Sequence, residues 1–166
     1  MQIESKLLRQ GLVFLGIYAL FEFGLIAAGL AGLLDAPIHA TASLTYSLVR
    51  LTGLPAVASG NQIVLSNRVL LINADCTGFF IIAVFAALVL AHPAPWREKG
   101  LALMVGVPVI LVANLVRLVA VAHVAVSFPA AFTVVHDYIF QVGMVLLAAA
   151  VWWWWLGRLG RLSDEE

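Results

Sequence analysis

The sequence predicts an all-α integral membrane protein. It has about four transmembrane helices, with an extracytoplasmic helix and a small β-hairpin between the first and second. Three observations predict this. Hydrophobic residues make up 63% of the 166 positions and charged residues only 11%, where a soluble domain carries about 25% charged residues. Mean hydropathy is +1.05. Four apolar runs approach the roughly 20 residues needed to cross a bilayer core. Such a chain cannot cover a water-facing surface of ordinary polarity, so a soluble globular enzyme is excluded. Disorder is excluded as well, because it requires low hydrophobicity and high net charge. The formal net charge is zero, so no overall field recruits nucleic acid.

The elements follow in order as one membrane domain over residues 1–166. The first span, 7–34, is too long for the apolar region of a signal peptide, carries Glu22 in its middle and lacks a convincing cleavage site. It reads as an uncleaved anchor, with a cleaved signal as the alternative. Residues 35–75 form the extracytoplasmic segment. Within it, 41–54 suits an amphipathic helix with Leu44, Leu48 and Leu51 on one stripe; it either lies at the interface or dips into the membrane. Gly53, Pro55, Ser59 and Gly60 then break the chain. Two runs rich in Val, Ile and Leu, 62–65 and 69–72, flank Ser-Asn-Arg and read as a hairpin. The remaining spans are 75–92, 101–124 and 137–156.

Cations orient these spans. Lys6 and Arg9 precede the first, Arg97 and Lys99 separate the second from the third, and Arg158 and Arg161 follow the fourth. Between the first and second stand only Arg50 and Arg68. The positive-inside rule then makes both termini and the 92–100 loop cytoplasmic. The run of tryptophans at 152–155 suits an aromatic belt at that interface.

Ionisable groups at membrane depth are costly and need a reason. With the orientation set by other residues, Cys76, Arg117 and His136 all fall toward the outer face. This trio suits thiol chemistry. A thiolate is the nucleophile, and a nearby cation or helix N-terminus favours it. Cys76 is expected to open the second helix. Arg117 can stabilise an oxyanion. His136 can accept the thiol proton and later protonate a leaving amine. Asn114, one turn before Arg117, can orient the guanidinium or supply a donor. Asp137 is adjacent to His136 and is expected on another side of the helix, so no orienting role is assigned to it.

Each residue also has a plainer reading. A lone Cys is commonly a small apolar packing residue, an Arg near a helix end commonly snorkels, and a single His is commonly interfacial. His39, His92 and His123 are weaker candidates, with His123 as an indirect partner of Arg117. Arg68 reads as a solvated hairpin charge. Glu22 could pair with Arg117 or Arg50. The rival to an enzyme is therefore a non-enzymatic assembly factor or carrier with a buried network of Glu22, Arg117 and His136. One cysteine excludes an internal disulfide or a CxxC pair, and no cofactor or metal is expected. A zinc protease lacks its HExxH, and a serine protease lacks a motif around Ser66 or Ser127.

Three motifs carry a resemblance: Asp75-Cys76-Thr77-Gly78 at the start of a span, Asn114-x-x-Arg117 in a later one, and His136 opening the next. In these the sequence resembles the exosortase/archaeosortase family of membrane cysteine transpeptidases over roughly 41–141. Thr77 stands where Ser is usual and keeps the hydroxyl. Many members have more spans before the Cys, and the compact form looks most like the exosortase H subtype. The resemblance implies catalytic roles for Cys76, Arg117 and His136, supported by Asn114, Asp75, Thr77, Gly78 and Asp137. It implies action at the outer face of a bacterial inner membrane. It also implies partners that are exported proteins with a C-terminal tail: a short motif (Ile-Pro-Thr-Leu-like for that subtype), a hydrophobic helix and a basic cluster. The tail is cut near the motif, and the new C-terminus passes to an acceptor. Small residues such as Gly106 and Ala113 are expected to admit the substrate helix.

Overall fold

The computed structural model describes residues 2–163, with side chains from 8 to 161. Helix α1 (Gln2–Leu30) runs into α2 (Asp35–Leu51), followed by strands β1 (Ala56–Ser59), β2 (Gln62–Leu65) and β3 (Val69–Leu71). A 3-10 turn (Ala74–Thr77) leads into α3 (Phe79–Ala91). Then come α4 (Trp96–Ser127), a second 3-10 turn (Pro129–Ala131), a π-helical turn (Val134–Ile139) and α5 (Phe140–Ser163).

Among the described residues, three helices are long and apolar enough to cross a membrane: Leu8–Leu30, Trp96–Ser127 and Val134–Arg161. The fourth expected span is shorter than the other three. Helix α3 has 13 residues, about 20 Å at 1.5 Å per residue against a core of about 30 Å. It is apolar all round and packs against α1, α4 and α5, so it is the buried centre of the bundle rather than a lipid-facing rod. Its lower end is closed by a charge. Lys99, buried at the start of α4, donates through Nζ to the carbonyl of Leu90 at 2.7 Å and lies over the Trp96 ring. A cation on the last carbonyls of a helix satisfies orphan acceptors and opposes the helix dipole. Lys99→Met removes that donor and leaves the carbonyl unpaired. The expected cost is about 1–3 kcal/mol, read as a lower unfolding midpoint in detergent.

Helix α1 joins α2 through a Schellman turn. Gly32 takes a left-handed conformation (φ 71), Leu33 N–H donates to Ala28 O at 2.8 Å, and Gly32 N–H donates to Gly29 O at 3.0 Å. Helix α2 then packs on α4 and β1, but not by the expected stripe. Leu44 and Leu51 are exposed, while Ala42, Thr45 and Val49 are buried, with Ile38 and Tyr46 packed beside the same core. The small Ala/Thr side allows close approach, which side-chain hydropathy alone does not reveal. The end of α2 is fastened to α4 through Thr52. Its hydroxyl donates to Val49 O at 2.7 Å, so His123 Nε2, 2.8 Å away, acts as the donor to Thr52 Oγ1. That is His123's role here, rather than service to Arg117.

The expected hairpin is present as β2–β3, but it belongs to a three-stranded antiparallel meander, β1-β2-β3. The extra strand, Ala-Val-Ala-Ser, lacks the β-branched run that marks the other two. It pairs in register Ser59↔Gln62 through Ala56↔Leu65, around a two-residue turn with Gly60 at φ 61. Ala56, Ile63, Leu65 and Leu70 point inward and join α2 and the end of α4 in one core. A second core joins α3, α4 and α5. Gly106 belongs to this one, and the Phe85 ring occupies the space that a Cβ there would need. At Gly106, one of the two small residues expected to admit a substrate helix, the space is thus taken by α3. Trp155 is buried in the same core, with His92 edge-on to it and to Trp152. Only Trp153 and Trp154 are exposed as a belt requires.

Candidate active site

The site is built from the short stretch between β3 and α3. Asn73 caps the 3-10 turn, its Oδ1 accepting from Cys76 N–H at 3.3 Å. The same N–H reaches Asn73 O at 3.1 Å. Asn, followed by a turn and an apolar helix, is a capping pattern that could have flagged Asn73 from the sequence. Cys76 is therefore not the opening residue of the second helix. It sits in the separate 3-10 turn, and Gly78, left-handed at φ 84, divides that turn from α3. The amide of Cys76 is paired within that turn, so it is not one of the unpaired N-terminal amides of α3. Thr77 is buried; its hydroxyl donates to Ala74 O at 2.6 Å and accepts from Phe79 N–H at 3.4 Å. It stitches the turn to α3, which explains why a hydroxyl is wanted at this position and Ser would serve.

Asn114 on α4 fixes the turn from the other side. It is 1% exposed, and its Nδ2 donates to Cys76 O at 2.7 Å. Among the described residues it makes no hydrogen bond to the Arg117 guanidinium; it holds the cysteine's main chain. Gly78 is in contact with it: a Cβ added there would stand 3.3 Å from the Asn114 side chain. Gly78→Ala therefore meets both a left-handed backbone, costing about 1–2 kcal/mol, and a side chain that must yield. A lower unfolding midpoint and slower turnover are expected together, since the displaced Asn114 releases Cys76.

Cys76, Arg117 and His136 line one cavity of about 400 Å3, together with Asn73, Asp75, Gly78, Leu71, Phe80, Ile81, Gln141 and Met144. Arg117 enters from α4 with its Nε buried and without a hydrogen-bond partner among the described residues. His136 enters from the π-helical turn ahead of α5. Asp137 does orient it, contrary to the sequence expectation: His136 Nδ1 and Asp137 Oδ1 are 2.6 Å apart. Successive residues of a π turn are separated by a smaller angle than in an α-helix, so neighbouring side chains converge; such turns are frequent at functional sites. Asp75 Oδ2 accepts from Asn73 Nδ2 at 3.3 Å. Asp75 also borders a second cavity, of about 260 Å3, that holds Glu22.

Glu22 thus lies outside the cavity of Arg117, beside Tyr18, and the Glu/Arg/His network of the rival reading lacks its first member. Arg68 differs from expectation too. It is half-buried, with its guanidinium carbon 4.4 Å from the centroid of the Phe132 ring. No group of three or more metal-ligating side chains occurs among the described residues.

The fold and the cavity define the class of the chain: a helical membrane protein with a cysteine, an arginine and a histidine around one cavity. The family model for transmembrane exosortases (Exosortase_EpsH) matches residues 5–156, and the chain belongs to the exosortase family. No curated protein and no solved structure matches it.

Proposed function

We propose that this exosortase-family chain is a membrane cysteine protease and transpeptidase. It cleaves the C-terminal sorting signal of exported proteins at the outer face of a bacterial inner membrane and transfers the new C-terminus to an acceptor. The observation that carries the reading is the meeting of the chain's one cysteine with Arg117 and His136 around a single cavity. These residues come from three separate elements, and packing for its own sake gives no reason for all three to meet.

The chemistry follows from the groups. Cys76 Sγ attacks the scissile carbonyl carbon, and its proton passes to His136. Asp137 occupies Nδ1, so the nitrogen left for this transfer is Nε2. The C–S bond forms as the carbonyl becomes an oxyanion, which the Arg117 guanidinium stabilises by hydrogen bonds and charge. The intermediate collapses, the C–N bond breaks, and His136 returns the proton to the leaving amine. A thioester remains on Cys76. Water or an acceptor nucleophile then gives its proton to His136 and attacks the thioester, and the C–S bond breaks. Asn73, Asn114 and Thr77 hold the turn that aims the sulfur.

Orientation rests on charge. Arg9 lies beside Ala91 and Pro93, and Arg158 pairs with Glu98 at 3.6 Å, so these cations gather at the end of the bundle away from the sheet. By the positive-inside rule that end is cytoplasmic, and the Cys76 cavity faces out.

The test is an exported reporter carrying a tail of short motif, hydrophobic helix and basic cluster, co-expressed with the chain. Mass spectrometry of the reporter is expected to find a new C-terminus at the motif only when both tail and chain are present. Uncut reporter, or equal cutting without the chain, would overturn the function.

A further inference from the structure

The part of the fold that the chemistry above does not use is the tip of the β-hairpin. We propose that Arg68 and Phe132 are positioning residues for His136, acting through a continuous stack from the sheet to the site. The guanidinium of Arg68 lies 4.4 Å from the centroid of the Phe132 ring. The Phe132 ring in turn stacks on the His136 ring, with centroids 5.4 Å apart and planes only 11° from parallel. This inference rests on the reading of His136 as the base.

The geometry explains why such a brace is needed. The His136 side chain is 33% exposed, so surrounding core does not hold it. Its bond to Asp137 fixes the rotation of the ring within its own plane, but one hydrogen bond leaves the plane free to tilt. A face-stacked ring fixes the plane and leaves both nitrogens at the free edge, one for Asp137 and one for the cysteine. Phe132 directly follows the short 3-10 turn Pro129–Ala131 and packs partly against the core of α2, the sheet and the end of α4. Arg68 adds to this hold by placing a cation on the electron-rich ring face. Arg68 itself is on a fastened base. Leu65 N–H donates to Arg68 O at 2.8 Å across the turn, and the neighbouring Asn67 Nδ2 donates to Ala125 O on α4 at 3.4 Å. The sheet thereby acts as a strut: the outer segment that carries Cys76 on one side of the hairpin fixes the base for it on the other.

The experiment uses the full chain in membranes and two readouts: the rate at which a small thiol reagent alkylates Cys76, and the processing of a tail-bearing reporter. The variants are Arg68→Ala, Arg68→Lys, Phe132→Leu and Phe132→Tyr, each alone and combined with His136→Ala. Arg68→Ala and Phe132→Leu are each expected to slow both readouts about tenfold, because small misplacements of a catalytic group are costly. Lys and Tyr, which keep the cation and the ring, are expected to restore most of the rate. In the His136→Ala background, none of the four changes is expected to slow alkylation further, since residues that act through one group are not additive with its removal. A merely structural role would slow alkylation equally in both backgrounds, and that result overturns the proposal. So does wild-type behaviour of Arg68→Ala and Phe132→Leu while His136→Ala is slow. If His136→Ala itself alkylates and processes normally, the catalytic reading fails first and takes this inference with it. Should Phe132→Leu fail to accumulate, Arg68→Ala at the hairpin tip decides the matter alone.

Discussion

Cys76→Ala is expected to abolish processing of a tail-bearing reporter while the chain still accumulates in the membrane. The expected loss is about 10⁶-fold, the scale seen when the nucleophile of a covalent mechanism is removed. The substitution should leave the fold intact. Among the described residues Cys76 Sγ makes one hydrogen-bond contact, a long one to Leu71 O at 4.0 Å, and the turn around it is held by main-chain and neighbouring groups: Asn73 on its N–H and Asn114 on its carbonyl. Quantitative immunoblotting of chain and reporter in the same membranes checks both halves of the prediction. Residual cutting by the Ala variant would mean that another group performs the attack.

Arg117→Lys keeps the charge and is expected to lose about 10²–10³-fold in turnover, the cost of removing one well-placed oxyanion donor. A guanidinium offers a rigid planar fork, whereas an ammonium is a compact, strongly hydrated point charge. Arg117 is half-buried and lines the cavity, so a shorter, hydrated head cannot reproduce its placement without drawing water in. Single-turnover cleavage of the reporter separates this loss from slow release. A near-normal rate would make Arg117 an anchor of charge with no part in the chemistry. Arg117→Ala should be worse than Arg117→Lys, because it also opens the cavity wall.

Much of this arrangement was legible in the residues because membrane composition is a strong constraint. Long apolar runs place the helices, and the few polar groups inside them stand out. The order Cys76, Asn114-x-x-Arg117, His136 carried the resemblance to the family that the chain proves to belong to. What the sequence concealed lies where tertiary packing overrides pattern. Leu44 and Leu51 on α2 are exposed because another side, Ala42, Thr45 and Val49, is small enough for α4 and the sheet to approach. Strand β1 was hidden because Ala-Val-Ala-Ser has little strand character of its own and is recruited by its neighbour β2. Asp137 reaches His136 because the chain makes a π turn where α-helical spacing, the pattern the sequence suggests, separates the two side chains. Arg68 and Phe132 are far apart in sequence, and no local pattern announces a contact between a hairpin tip and a turn beyond α4.

In the proposed mechanism the roles of the cavity residues all depend on one chemical event, the formation of a thioester on Cys76. The direct measurement is mass spectrometry of the full chain in proteoliposomes, acid-quenched during turnover of a tail-bearing substrate. A covalent adduct is predicted on the Cys76 peptide, with the mass of the substrate up to its cut site less one water, and released by hydroxylamine. Turnover with no adduct at Cys76, or with the adduct on another residue, would contradict the account.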